Sequence, residues 1–335
     1  MKFSKRIASP LALLMLIAAS AIFLNFKSTQ TMDTITDAKI EIIEFTDPAC
    51  TWCWGSEPIL RKLLYNYKEQ VKISFVMGGL VEDAHTFMDA TNTIGGDLNT
   101  FNEQVGTHWL EASSRHGMPV QAKGFKLFDE ENPSTFPMNI AYKAAQFQGE
   151  EIANKFLRRI REAVAAETKQ ANTMEVLIEL AQESGLNISK FIEDMGNGKA
   201  EKAFEEDRYT TRSYQANGFP SFLIKYENGK EIMLRGYQSY DTFVSTIKHL
   251  SGNTLTENKK EPSKKHILNF VIDFEKVTTA EIKETFDLST EEINKWLKDL
   301  VDERVLKETP LGNGFYYEAT KKGGVMCDDT GSCNF

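Results

Sequence analysis

Two cysteines three apart, lying between an apolar run and a helical pattern, constrain this 335-residue chain more than any other feature. They sit in Glu44-Phe45-Thr46-Asp47-Pro48-Ala49-Cys50-Thr51-Trp52-Cys53-Trp54-Gly55. Ile40 to Phe45 has the length and β-branched composition of a buried strand. Beyond the pair, Leu60, Leu63, Leu64 and Tyr67 recur at helical spacing, so Cys50 falls at the first turn of a helix. Unpaired N–H groups and a partial positive charge at that end favour an anion, here a thiolate. Cys50 is therefore expected to be the exposed, low-pKa attacker and Cys53, one turn further in, the resolving thiol.

Lowering a thiol pKa from about 8.5 to about 6.5 raises the thiolate fraction at pH 7 roughly 25-fold. A Brønsted slope of about 0.5 returns roughly 10-fold of that as lost nucleophilicity. The larger effect is on leaving-group ability and redox poise, since a stabilised thiolate makes the disulfide a stronger oxidant. A half zinc site or a plain structural disulfide would share the C-x-x-C spacing. Strand before, helix after, and no second C-x-x-C for a four-ligand zinc site favour redox chemistry.

Far downstream lies Asn217-Gly218-Phe219-Pro220-Ser221-Phe222-Leu223-Ile224, a Gly-x-Pro turn feeding an apolar strand. With the cysteine pair, this resembles the thioredoxin fold, and more closely the DsbA family with its FrnE-like and polyketide-oxidoreductase relatives. The resemblance runs from about 39 to 250. It implies an α/β fold, a thioredoxin-like sheet with a helical insertion, in which Pro220 is a cis-proline facing the pair and Phe219 offers backbone groups to an extended substrate. It also implies a buried acid near the resolving thiol, which makes Glu44 the candidate proton acceptor for Cys53; an exposed or edge-facing strand carboxylate is the alternative. Trp52 and Trp54 are assigned to the substrate groove. Thr51-Trp52 stands where relatives carry Pro-His or Pro-Trp, so oxidase, reductase and isomerase all stay open. No cofactor is required.

Lys2, Lys5 and Arg6 precede an uncharged stretch from Ile7 to Phe26, with Ala19-Ser20-Ala21 as a small-x-small site. Residues 1–26 read as a signal peptide or N-terminal membrane anchor that exports the rest, to the periplasm or another extracytoplasmic site, and 27–38 as a tether. An oxidising compartment makes the four cysteines a disulfide problem rather than a metal one. A net charge of −9 argues against nucleic acid as a partner.

Val71 to Met77 is a second strand, and a crossover helix between it and the first makes a parallel unit. About 80–215 read as almost wholly helical, with periodic faces at 101–116, 137–148, 150–166, 174–184, 188–195 and 199–214. His85, His108 and His116 fall there and read as partly exposed structural histidines; Trp109, Phe136 and Met138 read as core or groove. Strands at 221–226 and 231–236 form a hairpin, 240–250 the domain's last helix, and 251–265 a linker.

Residues 266–320 resemble a winged helix, whose functional reading is DNA binding. Six Lys or Arg against twelve Asp or Glu, and a would-be recognition helix opening Thr290-Glu291-Glu292, repel phosphate and point instead to a protein-docking or dimerisation module. In the tail, 321–335, Cys327 and Cys333 either close a small loop or relay electrons to Cys50 and Cys53. Asp328 and Asp329 raise their pKa and disfavour attack from the tail.

The chain thus reads as an exported thiol-disulfide oxidoreductase acting on protein thiols, recycled by a membrane or thioredoxin-like redox partner. Homodimerisation is left open. Two rivals remain: a non-catalytic adaptor on the same fold, and a small-molecule isomerase resembling the glutathione-dependent chromene-carboxylate enzymes.

Overall fold

The apolar, β-branched run Ile40-Glu41-Ile42-Ile43-Glu44-Phe45 places one strand at the centre of everything that follows. The computed structural model describes residues 38–321 and the backbone of 326–327 and 333–334. Strand β1 (Ile40–Thr46) runs parallel to β2 (Val71–Met77) and antiparallel to β3 (Ser221–Tyr226), which pairs with β4 (Glu231–Arg235) to give the order β2-β1-β3-β4. Helix α1 (Thr51–Tyr67) makes the crossover. Ile40, Ile42, Phe222 and Ile224 meet Leu60 and Leu63 of α1 and Phe243 and Ile247 of α8 (Tyr240–Ser251) on one face. Phe45 and Leu223 meet Ala216 on the other.

The insertion carries α2 (Leu98–His116), α3 (Phe136–Gln146), α4 (Glu150–Ala166), α5 (Met174–Glu183), α6 (Ile188–Gly196) and α7 (Lys199–Ser213). It has its own core, with Phe101, Trp109, Met138, Phe156 and Phe204 buried. It is less helical than its apolar content implies: 78–97 and 117–135 are irregular apart from one isolated bridge between Asp89 and Ile94. The region expected to be a linker is irregular too, but fastened. Asn258 N–H bonds Asn66 O at 2.8 Å, and Glu257 Oε1 accepts from Tyr240 Oη at 2.6 Å.

The C-terminal domain runs α9 (Lys264–Asp273), β5 (Lys276–Thr278), α10 (Thr279–Phe286), α11 (Thr290–Asp302), β6 (Leu306–Leu311) and β7 (Gly314–Ala319), with sheet order β5-β7-β6. Capping boxes at Thr278/Glu281 and Ser289/Glu292 start its two consecutive helices. Its wing, the β6–β7 turn, presses into the body: Asn313 N–H donates to Val120 O at 3.0 Å and Asn313 Oδ1 accepts from Val120 N–H at 2.9 Å. Gly312 has φ +54, and a Cβ there would lie 2.7 Å from the Val120 carbonyl carbon, so only glycine fits. The wing that a DNA-binding or docking module would present outward is thus used against the chain's own body.

The expected signal or anchor, 1–26, and nearly all of the tether lie outside the described residues. Among described helices none is long and apolar enough to cross a membrane. Cys327 faces Cys333 across a two-residue antiparallel ladder, Met326–Cys327 with Cys333–Asn334; their side chains lie outside the described residues.

Candidate active site

Asp47 builds the turn that delivers the cysteines. Its Oδ1 accepts from Ala49 N–H at 2.8 Å, and its carbonyl accepts from Cys50 N–H at 3.0 Å. Its Oδ2 accepts from Leu80 N–H at 2.7 Å, and from Thr135 Oγ1 and Asn139 Nδ2 at 2.8 Å each. Burial pushes the Asp47 carboxyl up while these bonds pull it down. One side chain therefore ties the β1–α1 turn to the loop after β2 and to the start of α3. An Asp-Pro before a helix carries a turn signal, but its three long-range donors could not be read from sequence.

Cys50 is the N-cap of α1, and its Sγ accepts from Cys53 N–H at 3.1 Å. It is joined to Cys53 as a disulfide with the Cα atoms 5.2 Å apart, and at 5% and 0% exposure both residues are buried, so Cys50 is not the exposed residue that its place at the helix start led one to expect. A backbone donor aimed at Sγ is what would hold a Cys50 thiolate once the bond opens. Ser221 pairs with Phe45, so Pro220 enters the sheet at the end from which 47–50 leave. The Phe219–Pro220 peptide is cis, as the family resemblance implies. Phe219 is half-buried, its ring lying on Gly78 so closely that a Cβ there would overlap it.

Half-buried Trp52 meets the Tyr237 ring at 5.6 Å and the His116 ring edge-on at 5.8 Å, with the Arg115 guanidinium 6.0 Å from its centre. Trp54 does not line an open groove. It is buried, its indole N–H donating to Pro119 O at 2.9 Å and its face covered by the Arg158 guanidinium at 4.5 Å. The reason is helical phase: two residues after Trp52, its side chain turns inward to the insertion core.

His116 also departs from expectation. It is buried, its ring so close to Gly55 that a Cβ there would overlap it, and its Nδ1 accepts from Met118 N–H at 3.0 Å. Burial pushes its pKa down to about 4, so the ring is neutral at pH 7. Its Nε2 has no partner among the described residues. His85 is exposed between Asp83 and Glu130, and His108 lies where burial lowers its pKa.

Glu44 is neither exposed nor at a sheet edge. It is fully buried on the central strand, and its Oε2 lies 3.3 Å from Arg161 Nη2, which also donates to Thr46 Oγ1 at 2.6 Å. Its Oε1 is unpartnered among the described residues. Burial, opposed by Arg161, raises its pKa to about 7, which suits a group that exchanges protons near neutrality.

Arg161 leads into a buried charge cluster that composition does not reveal. Its Nη1 pairs with Glu57 of α1. Arg158 pairs with Glu57 at 3.3 Å, Glu162 at 2.9 Å and Glu281 at 2.6 Å. Arg61 reaches Glu281 at 3.1 Å and Lys276 O at 2.7 Å, and Lys276 pairs with Glu162. Against burial, Arg161, Arg158 and Arg61 hold the Glu57 carboxyl below its ordinary value. Glu281 and Lys276 come from the C-terminal domain, so the cluster is the seam between domains. Among the described residues no group of His, Cys, Asp and Glu has metal-holding geometry.

A four-stranded mixed sheet, a disulfide at the start of the helix after its first strand, and a cis-proline entering its third define a thioredoxin-class protein. The chain belongs to the thioredoxin family, whose model matches residues 44–245. It is similar to the ClpXP adapter protein SpxH of Halalkalibacterium halodurans (29% identical, covering 83% of this chain and 88% of that one). It is also similar to the ClpXP adapter protein SpxH of Bacillus subtilis (24%, covering 88% and 93%). Among solved structures, a putative protein disulfide isomerase from Nitrosomonas europaea shares the fold at TM-score 0.54 and 16% identity. It covers 64% of this chain and 99% of its own.

Proposed function

We propose that this chain is an adapter: a protein that binds a second protein and presents it to ClpXP, using the thioredoxin-fold body and the C-terminal domain as one surface. One observation carries the reading. The likeness to the relatives named ClpXP adapter proteins covers 83% of the chain, far more than the family model's 44–245. The 43 residues before that span are too few to supply the difference, so the likeness runs into the C-terminal domain. The disulfide isomerase neighbour is used up by 64% of this chain. A buried ionic seam supports a composite surface, because it holds the two domains in one register.

The test is reconstitution with purified ClpXP. A Cys50→Ser/Cys53→Ser double variant is expected to hold ClpXP and its client within about twofold of wild type, as a binding role needs no thiol exchange. Absence of ClpXP binding by the wild-type chain overturns the reading.

A second reading, thiol-disulfide exchange on protein thiols, is favoured by the Cys53 N–H aimed at Cys50 Sγ beside the strand that Pro220 opens. In it Cys50 forms the mixed disulfide, Cys53 displaces the product, and Glu44 takes the Cys53 proton. Export by residues 1–26 belongs with this reading. Insulin reduction that vanishes in Cys50→Ser, with the chain found outside the cytoplasm, would favour it over the adapter.

A further inference from the structure

The C-terminal domain grips Trp54 from two sides. On one, the wing's Asn313 pairs with both the N–H and the C=O of Val120, and its Nδ2 reaches Ser113 Oγ at 3.3 Å. Ser113 Oγ in turn donates to Met118 O at 2.8 Å, and Thr278 Oγ1 of the C-terminal domain lies 3.2 Å from Met118 Sδ. The segment so clamped presents Pro119 O, which accepts the Trp54 indole N–H at 2.9 Å. On the other side, Glu281 holds Arg158 with two bonds, at 2.6 and 3.2 Å, and Arg158 covers the Trp54 ring. Trp54 directly follows Cys53, and its N–H donates to Cys50 O at 3.0 Å in the first turn of α1.

From this geometry we infer that Asn313 and Glu281 are positioning residues for the cysteine pair: through Trp54 they fix the first turn of α1, and with it the Cys53 N–H that faces Cys50 Sγ. Thiol reactivity in the body is therefore set partly by a domain contributing no cysteine to the pair. By linkage, opening the disulfide biases the wing contact by the same factor. The inference rests on Cys50 and Cys53 being an exchange-competent pair, not on which of the two functions that pair serves.

The test uses the reduced full-length chain and follows iodoacetamide alkylation of Cys50 against pH. The thiolate sulfur forms the new S–C bond, iodide leaves, and the thiol proton goes to buffer. Asn313→Ala removes two side-chain bonds from an exposed wing residue; Asn313→Asp keeps the acceptor for Val120 N–H; Glu281→Gln loosens Arg158. Alanine and Gln variants are expected to raise the alkylation midpoint by roughly half a pH unit, about a threefold loss of thiolate well below the midpoint, with Asn313→Asp close to wild type. Lys298→Ala, on the outer face of α11 where the side chain pairs with Asp302, is the unaffected control.

Midpoints within a tenth of a unit of wild type in folded Asn313→Ala overturn the inference, and that variant decides should Glu281→Gln not fold. Insulin reduction and ClpXP binding are read on the same proteins. Shifted midpoints with neither activity would retain the positioning role and reject the functions; wild-type activity with unshifted midpoints would do the reverse.

Discussion

Glu44 has the most consequential environment of any single residue here. Its carboxyl is raised from an ordinary 4.5 to about 7, first by burial and against the pull of Arg161. Between those values the folded chain keeps a proton that the unfolded chain releases, so each step up in pH through that window favours unfolding. The loss is complete near pH 7 and constant above it. Glu44→Gln resembles the protonated form, so it should match wild type near pH 4 and exceed it by roughly 3 kcal/mol above pH 8. Urea unfolding of both proteins at pH 4, 6 and 8 checks this; a gap that does not grow with pH would show that Glu44 ionises normally. The family resemblance drew attention to Glu44 but not to its true partner. Arg161 lies 117 residues away, and an arginine in an amphipathic helix reads as solvated face until something is packed on it. Asp47 was illegible for the same reason, since its donors at 80, 135 and 139 meet only in three dimensions.

At the scale of elements, the helices were legible from their 3.6-residue apolar period and the strands from short apolar, β-branched runs bounded by turn residues. Val71–Met77, Ser221–Tyr226 and Glu150–Ala166 appear at the expected bounds. The irregular stretches 78–97 and 117–135 were not, because they too are rich in buried apolar residues such as Val81, Met118, Val120, Leu127 and Phe128. The helical periodicities skip both stretches, yet the insertion as a whole read as almost wholly helical; Gly117, Pro119 and Gly124 argue for the breaks. The end of β2 shows what such a junction does. Gly78 N–H donates to Thr46 O at 2.7 Å, and the Phe219 ring occupies the space where a side chain would stand. Gly78→Ala must push Phe219, and with it the entry to β3, away from the cysteine turn. A loss of about 1–3 kcal/mol is expected by thermal or urea unfolding, the range for overpacking a tight contact. An unchanged midpoint would mean that Phe219 moves aside freely and has no fixed place over Gly78.

For the whole molecule, the seam decides whether there are two domains or one cooperative unit. Arg61, Arg158 and Arg161 of the body face Glu44, Glu57 and Glu162, while Glu281 and Lys276 enter from the C-terminal domain as an oppositely charged pair. With Glu44 ionised the counts balance either way, but the pairing does not. Without Glu281, Arg61 loses its ion-pair partner, and Arg158 loses its shortest one and keeps Glu162 and the Glu57 it already shares with Arg161. Removing one partner of a buried ionic set leaves an uncompensated charge, typically a loss of about 3–5 kcal/mol. The wing adds a second attachment at Val120 that no charge count could reveal. Wild-type chain should therefore unfold in one transition, with amides of α10 and of α1 exchanging hydrogen at the same free energy. In Glu281→Gln the α10 amides should open first and α1 should follow at higher urea. Peptide-level hydrogen exchange across a urea series resolves the two. Independent opening of α10 in the wild-type chain would mean that the seam is too weak to join the domains, and a composite docking surface would lose its physical basis.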